Sequence, residues 1–200
     1  MSGRAIRLNK HLKYVESDGV KGYFHRSDEK TMDTENDTLI RDVIGFANEE
    51  TENVTPERWL GWGRRNCPDG PEEFNKSLGE AHKFARKCFL ELSRNKALSR
   101  ENSHQLNEYL VRVQERRVFS IEQGESVVWL AYVIPSATAY CAYVIAAVIN
   151  AKQVDNIHQC RLSECRKIFW RPKRRGPRPE YCCTKHGNTG SKRVERGMMP

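Results

Sequence analysis

The sequence has no glycine-rich phosphate loop, no H-E-x-x-H pair and no serine nucleophile elbow. These absences remove the patterns that mark P-loop NTPases, zinc peptidases and α/β-hydrolases. A finger-based nuclease of the His-Asn-His kind needs a second histidine and an acidic or histidine base beside its metal, and only His186 and Asn188 are at hand. There are no internal repeats and no strong apolar–polar alternation, so neither a solenoid nor a half-buried sheet is expected. Met1 is not followed by an apolar h-region, and the seven cysteines are an odd number. A disulfide framework is therefore not expected, and a reducing cytoplasm is.

Net charge is scarce over most of the chain and concentrated at one end. Of 34 Lys and Arg and 26 Asp and Glu in 200 residues, 12 and 3 lie in residues 158–200. That segment carries +9, and the 22 basic and 23 acidic residues before it sum to −1. A basic excess confined to one module favours a polyanionic partner for that module.

One long uncharged run, Val127 to Ile149, is long enough to cross a bilayer. Pro135, Ser136, Thr138 and three tyrosines (Tyr132, Tyr140, Tyr143) sit near its middle rather than at its ends, and it is rich in alanine. These features favour the central helix of a bundle, kinked or broken at Pro135, over a membrane span.

The rest is read as mainly α. Residues 1–37 form a polar segment with a hairpin around SDGV and a linker, RSDEKTMDTEND. Residues 38–156 are expected to be an all-helical domain. Apolar residues at 39, 40, 43, 44, 46 and 47 make a helical stripe. Thr55-Pro56 starts a helix ERWLGWGRR. A long helix follows from DGPEEF to about Asn95, burying Phe74, Leu78, Ala81, Phe84, Ala85, Phe89 and Leu92. Ser99 starts another, SRENSHQLNEYLVRVQERR, with Leu106, Tyr109, Leu110 and Val113 inward, and VFSIEQGESV is a short extended excursion turning at Gly124. Cys88 and Cys141 read as small buried hydrophobes, and Cys67 as a loop residue.

Residues 157–200 carry the chemistry. Cys160, Cys165, Cys182 and His186 make a C-x4-C … C-x3-H pattern, two close pairs of soft ligands across a short loop. That pattern builds a closed tetrahedral zinc site, which leaves no open position for catalysis. About forty residues bury too little apolar surface to fold alone, so the structural metal supplies the folding energy. Cys183 is an alternative ligand to Cys182; the ligand types also suit iron, but a closed structural site favours zinc. The run YCCTKH is similar to the segment where treble-clef fingers enter their last helix. Ile157, Leu162, Ile168, Phe169 and Trp170 supply a small core, and His158 falls outside the ligand spacing. Between the pairs, Arg171, Lys173, Arg174, Arg175 and Arg178 form a proline-stiffened basic loop, and Lys192, Arg193 and Arg196 follow the last ligand. Such residues engage phosphates, while base reading requires a well-placed arginine or Asn188.

Taken together, VIGFANEE, ERWLGW, WLAYVIPSATAYCAYVI, C-x4-C-x3-F, the basic loop, an aromatic-Cys pair and Gly187-Asn188 resemble a known family. The chain resembles, over roughly Thr38 to Arg196, bacterial proteins with an all-helical ABATE-type domain and a C-terminal CGNR-type zinc finger. The tetrad departs from that pattern: it reads His186-Gly187-Asn188-Thr189, with histidine for cysteine and threonine for arginine. The resemblance implies a stress-linked transcription regulator whose finger binds duplex DNA and whose helical domain senses a ligand, with Trp59, Trp62 and Trp129 near a pocket. A homodimer through the helices would lengthen the DNA site. The alternative is a non-catalytic, zinc-stapled assembly subunit of a larger complex, with RNA or protein as partner.

Overall fold

The computed structural model describes residues 12–17, 20–25, 32–55, 57–59, 71–122, 125–172 and 180–196. The packed body is mainly helical. Helix α1 (Met32–Ala47) starts seven residues before the apolar stripe, inside the segment read as a linker. It buries Ile40, Val43, Ile44, Phe46 and Ala47. After a 3-10 turn at Thr51–Asn53, Thr55 Oγ1 accepts from the Arg58 amide at 3.4 Å, as a capping hydroxyl does. The helix expected beyond it lies largely outside the described residues, as does Cys67.

The long helix from DGPEEF is two helices, α2 (Pro71–Lys76) and α3 (Leu78–Asn95), broken at Ser77. The break has a cause in a distant element. Ser77 Oγ donates to Phe74 O at 3.0 Å and accepts from the amides of Ala137 at 2.9 Å and Thr138 at 3.4 Å. It thus satisfies donors at the start of helix α5 (Ala137–Asn150) that have no intrahelical partner. Ser136 caps the same helix, accepting from Ala139 N at 3.2 Å. Between α3 and α5 lies α4 (Arg100–Leu110), capped by Ser99. All seven apolar positions expected on the α2–α3 face are buried, and Leu106 and Tyr109 of α4 join them.

The uncharged run Val127–Ile149 is not one helix. Its first part is strand β4 (Glu125–Val133), and only the part after Ser136 is helical. β-branched and aromatic residues before Pro135 favour extended backbone, and Ser136 then restarts the chain as a helix. At 14 residues α5 is shorter than the roughly 20 needed to span a bilayer. No helix among the described residues is long and apolar enough to cross a membrane. Its second half does act as the central helix: Tyr140, Cys141, Ala142, Val144, Ile145 and Val148 are all buried, and it packs against α1, α3 and α4. Cys88 and Cys141 face this core; burial pushes the Cys88 thiol up to about 12 and the Cys141 thiol up as well, so both are inert.

The reading of Gln114–Arg117 as helix is also overturned. Strand β3 (Gln114–Glu122) pairs antiparallel with β4, with Glu122 opposite Glu125. The hairpin expected at SDGV is present as β1 (Leu12–Ser17) and β2 (Val20–His25), with Ser17 opposite Val20. Phe24 of β2 pairs with Ala131 of β4, giving a four-stranded sheet in the order β1-β2-β4-β3. The N-terminal segment therefore completes a mid-chain sheet.

Tyr109 ties α4 to α3. Its hydroxyl donates to Glu80 Oε1 at 2.6 Å and accepts from Gln105 Nε2 at 2.9 Å. Burial, reinforced by the Glu80 hydrogen bond, pushes the phenol up to about 12 from its ordinary 10. Between these values the unfolded chain releases a proton that the folded chain keeps, so stability falls as pH rises through that window. Tyr109→Phe is expected to flatten that alkaline loss, read as the melting midpoint against pH; an unchanged slope would place the loss elsewhere.

Candidate metal centre and nucleic-acid interface

Strands β5 (Ile157–Gln159) and β6 (Ile168–Trp170) form a short antiparallel hairpin. Its tip holds the first ligand pair. Cys160 N donates to Lys167 O at 2.8 Å, and Cys165 N to Leu162 O at 2.9 Å, so the backbone folds into a tight knuckle. Arg166 closes it at φ 45°, a left-handed conformation that costs a non-glycine residue roughly 1 kcal/mol. The second pair sits where the chain enters helix α6 (Thr184–Glu195): Cys182 just before it and His186 in its first turn.

The two pairs converge. Cys165 Sγ lies 3.7 Å from Cys182 Sγ, Cys160 Sγ 3.8 Å from His186 Nδ1, and Cys182 Sγ 3.1 Å from His186 Nδ1. All four donor atoms lie within 4.8 Å of one another. Zinc–ligand bonds of tetrahedral geometry give edges of about 3.8 Å between sulfurs and about 3.5 Å between sulfur and nitrogen, so the donors fit such an ion. Burial, then the Cys165 hydrogen bond and the Cys160 thiol beside it, push the Cys182 thiol well up. The cluster can hold a metal ion. Cys183 is exposed, occupies the N-cap of α6 and is not part of the cluster.

The hairpin is anchored to the helices by contacts the sequence did not advertise. Asn48, at the end of α1, brackets one residue of β6: its Nδ2 donates to Ile168 O at 2.7 Å and its Oδ1 accepts from Ile168 N at 2.9 Å. It acts as a one-residue edge strand. Trp170 Nε1 donates to Asp37 Oδ1 at 3.0 Å. Lys96 ends α3 in the left-handed conformation, φ 59°, and its ammonium reaches Ile157 O at 2.7 Å. That charge-assisted bond offsets a backbone strain which glycine would avoid. Ile157, Ile168 and Trp170 are buried in the same core as α1 and α3. Asn48→Ala strips both backbone groups of Ile168 of their partners. It is expected to cost about 1–3 kcal/mol, read by denaturant unfolding; a change within error would mean water replaces the amide at no cost.

The residues expected to meet nucleic acid fall into three groups. Arg171, Asn188, Lys192 and Arg196 are exposed. Arg193 is bound to the knuckle: Nη1 donates to Glu164 Oε2 at 3.0 Å and Nη2 to Oε1. This bidentate pair holds the Glu164 carboxyl below its ordinary range. Arg161 is likewise paired with Glu180 at 2.6 Å. Lys173, Arg174, Arg175 and Arg178 lie outside the described residues. His158 stacks on Phe169, ring centroids 5.4 Å apart, clear of the donor cluster. Trp59 packs edge-on against Phe46 as part of the core; Trp62 lies outside the described residues.

Gly190 was also missed. Its buried position on α6 lies directly under Tyr181, and a Cβ there would overlap two ring carbons and the hydroxyl oxygen. Nothing in N-T-G-S distinguishes that glycine from an ordinary turn residue. Comparison with protein-family models finds none that matches the chain, and comparison with curated proteins finds no match either.

Proposed function

We propose that residues 157–200 form a zinc-stapled, treble-clef-like finger that binds duplex DNA, and that the chain is a DNA-binding regulator of the kind its resemblance to ABATE–CGNR proteins implies. One observation carries the reading: two ligand pairs, one on a hairpin knuckle and one at a helix start, converge inside the segment that holds the entire basic excess. Zinc, bound by Cys160, Cys165, Cys182 and His186, would act as a structural staple rather than a Lewis acid, because four protein donors fill a tetrahedral shell. The exposed face of α6, with Asn188, Lys192 and Arg196, and the basic loop beginning at Arg171 are then the phosphate-contacting surface.

A second reading, a zinc-stapled assembly knob, draws on the neutralisation of Arg193 by Glu164 and of Arg161 by Glu180. These pairs remove two cations from the count available to phosphate. Binding of the zinc-loaded chain to a mixed-sequence duplex across a salt series separates the two. The DNA reading expects a log–log slope of about −4 to −7, corresponding to roughly four to eight phosphates. Absence of binding at low salt would transfer the weight to the assembly reading.

A further inference from the structure

We propose that the cleft between α1 and the metal-binding hairpin seats a backbone phosphate of duplex DNA, held between Arg41 and Arg171. The inference deepens the DNA reading and rests on it. The cleft has a volume of about 600 Å³ and runs between α1, the residues that follow β6, and the start of α6. Arg41, on α1, and Arg171, just after β6, both line it. Both are exposed, and neither guanidinium has an ion-pair partner among the described residues.

The nearby acids are already engaged. Glu180, on the cleft wall, is paired with Arg161 at 2.6 Å. Asp37, one helical turn before Arg41, accepts from Trp170 Nε1 at 3.0 Å. Ile44 and Trp170 give the cleft buried apolar walls. Low-dielectric walls focus the field of the two cations into the opening. Along the chain, Arg171 leads through Pro172 directly into Lys173, Arg174 and Arg175. Arg41 lies in the part of the chain whose charge balances to −1, so composition assigns it no part in binding. Only the docking of β6 on α1 brings it to the finger. DNA held in this way would contact both parts of the protein.

The test compares zinc-loaded wild type, Arg41→Ala and Arg100→Ala on one mixed-sequence duplex, from about 50 to about 200 mM salt. Arg100 is an exposed arginine on α4 that does not line the cleft. Arg41→Ala should weaken binding about three- to tenfold, equally on unrelated sequences, and reduce the magnitude of the salt slope by about one. Arg100→Ala should match wild type. Zinc content and melting midpoint should be unchanged in both variants. Wild-type binding with an unaltered Arg41→Ala slope overturns the cleft while leaving the DNA reading in place. Equal losses from both variants also overturn it, since they would report net charge rather than a seat. A wild type that fails to bind at low salt overturns both.

Discussion

Cys160→Ser is expected to open the C-terminal module while the helical core stays folded. Cys160 is buried at the knuckle, 3.8 Å from His186 Nδ1. A serine hydroxyl is a poor zinc ligand, and three remaining donors no longer close the site. Apparent zinc-binding energies in small fingers are about 10–16 kcal/mol, far more than the module's few buried side chains can replace. The knuckle hydrogen bonds at Cys160 and Cys165 should lose protection in amide exchange, and so should α6. Core helices α3 and α5, which bury Phe89, Leu92, Ile145 and Val148 among themselves, should keep theirs. The melting midpoint should still fall, because Ile157, Ile168 and Trp170 belong to the common core. One equivalent of zinc and native exchange in the variant would show that the cluster is not a metal site.

Gly190→Ala is the second large effect, and its sign is opposite to that of Gly187→Ala three residues earlier. A Cβ on Gly190 would lie 2.2 Å from the Tyr181 hydroxyl and 2.3 Å from its Cζ, whereas one on Gly187 meets only Tyr181 Cδ2 at 3.9 Å. The Tyr181 backbone cannot yield freely: Glu180 O accepts from Arg161 N at 3.0 Å on one side, and Cys182 is in the donor cluster on the other. The ring must swing off α6 into the adjoining cleft. Overpacking of this kind costs about 1–3 kcal/mol. Gly187→Ala has room and should stabilise α6 by about 0.5–1 kcal/mol, the usual helix preference for alanine. Combining Gly190→Ala with Tyr181→Ala removes the overlap, so a double-mutant cycle should recover most of the loss. Equal effects at Gly187 and Gly190 would mean that Tyr181 does not rest on α6.

The site was more legible than the scaffold. Ligand identity is a property of spacing, and C-x4-C with C-x3-H names the same four residues that converge in space. Buried faces of α1 to α4 were readable because a stripe at helical spacing has one solution. The run Val127–Ile149 was misread because an unbroken apolar run carries no period. Its strand and helix halves are told apart only by β-branched residues on one side of Pro135 and a capping serine on the other. The helix extended past Leu110 failed for a related reason: Gln114–Arg117 are polar, and their strand character comes from pairing with Leu130–Val133. The break at Ser77 was invisible because its cause, the start of α5, lies sixty residues away. Asn48 shares that character: it is unremarkable locally and acquires its contacts from a hairpin that docks from the far end of the chain. Gly190 differs, since its neighbour Tyr181 is only nine residues away.

The central claim is that a metal at Cys160, Cys165, Cys182 and His186 builds the surface that binds duplex DNA. The most direct measurement titrates zinc into metal-stripped protein while following anisotropy of a labelled duplex. The account predicts that binding is absent without metal, rises linearly and saturates at about one zinc per chain. Undiminished binding by the stripped protein, or saturation with zinc but no binding at any stoichiometry, would contradict it.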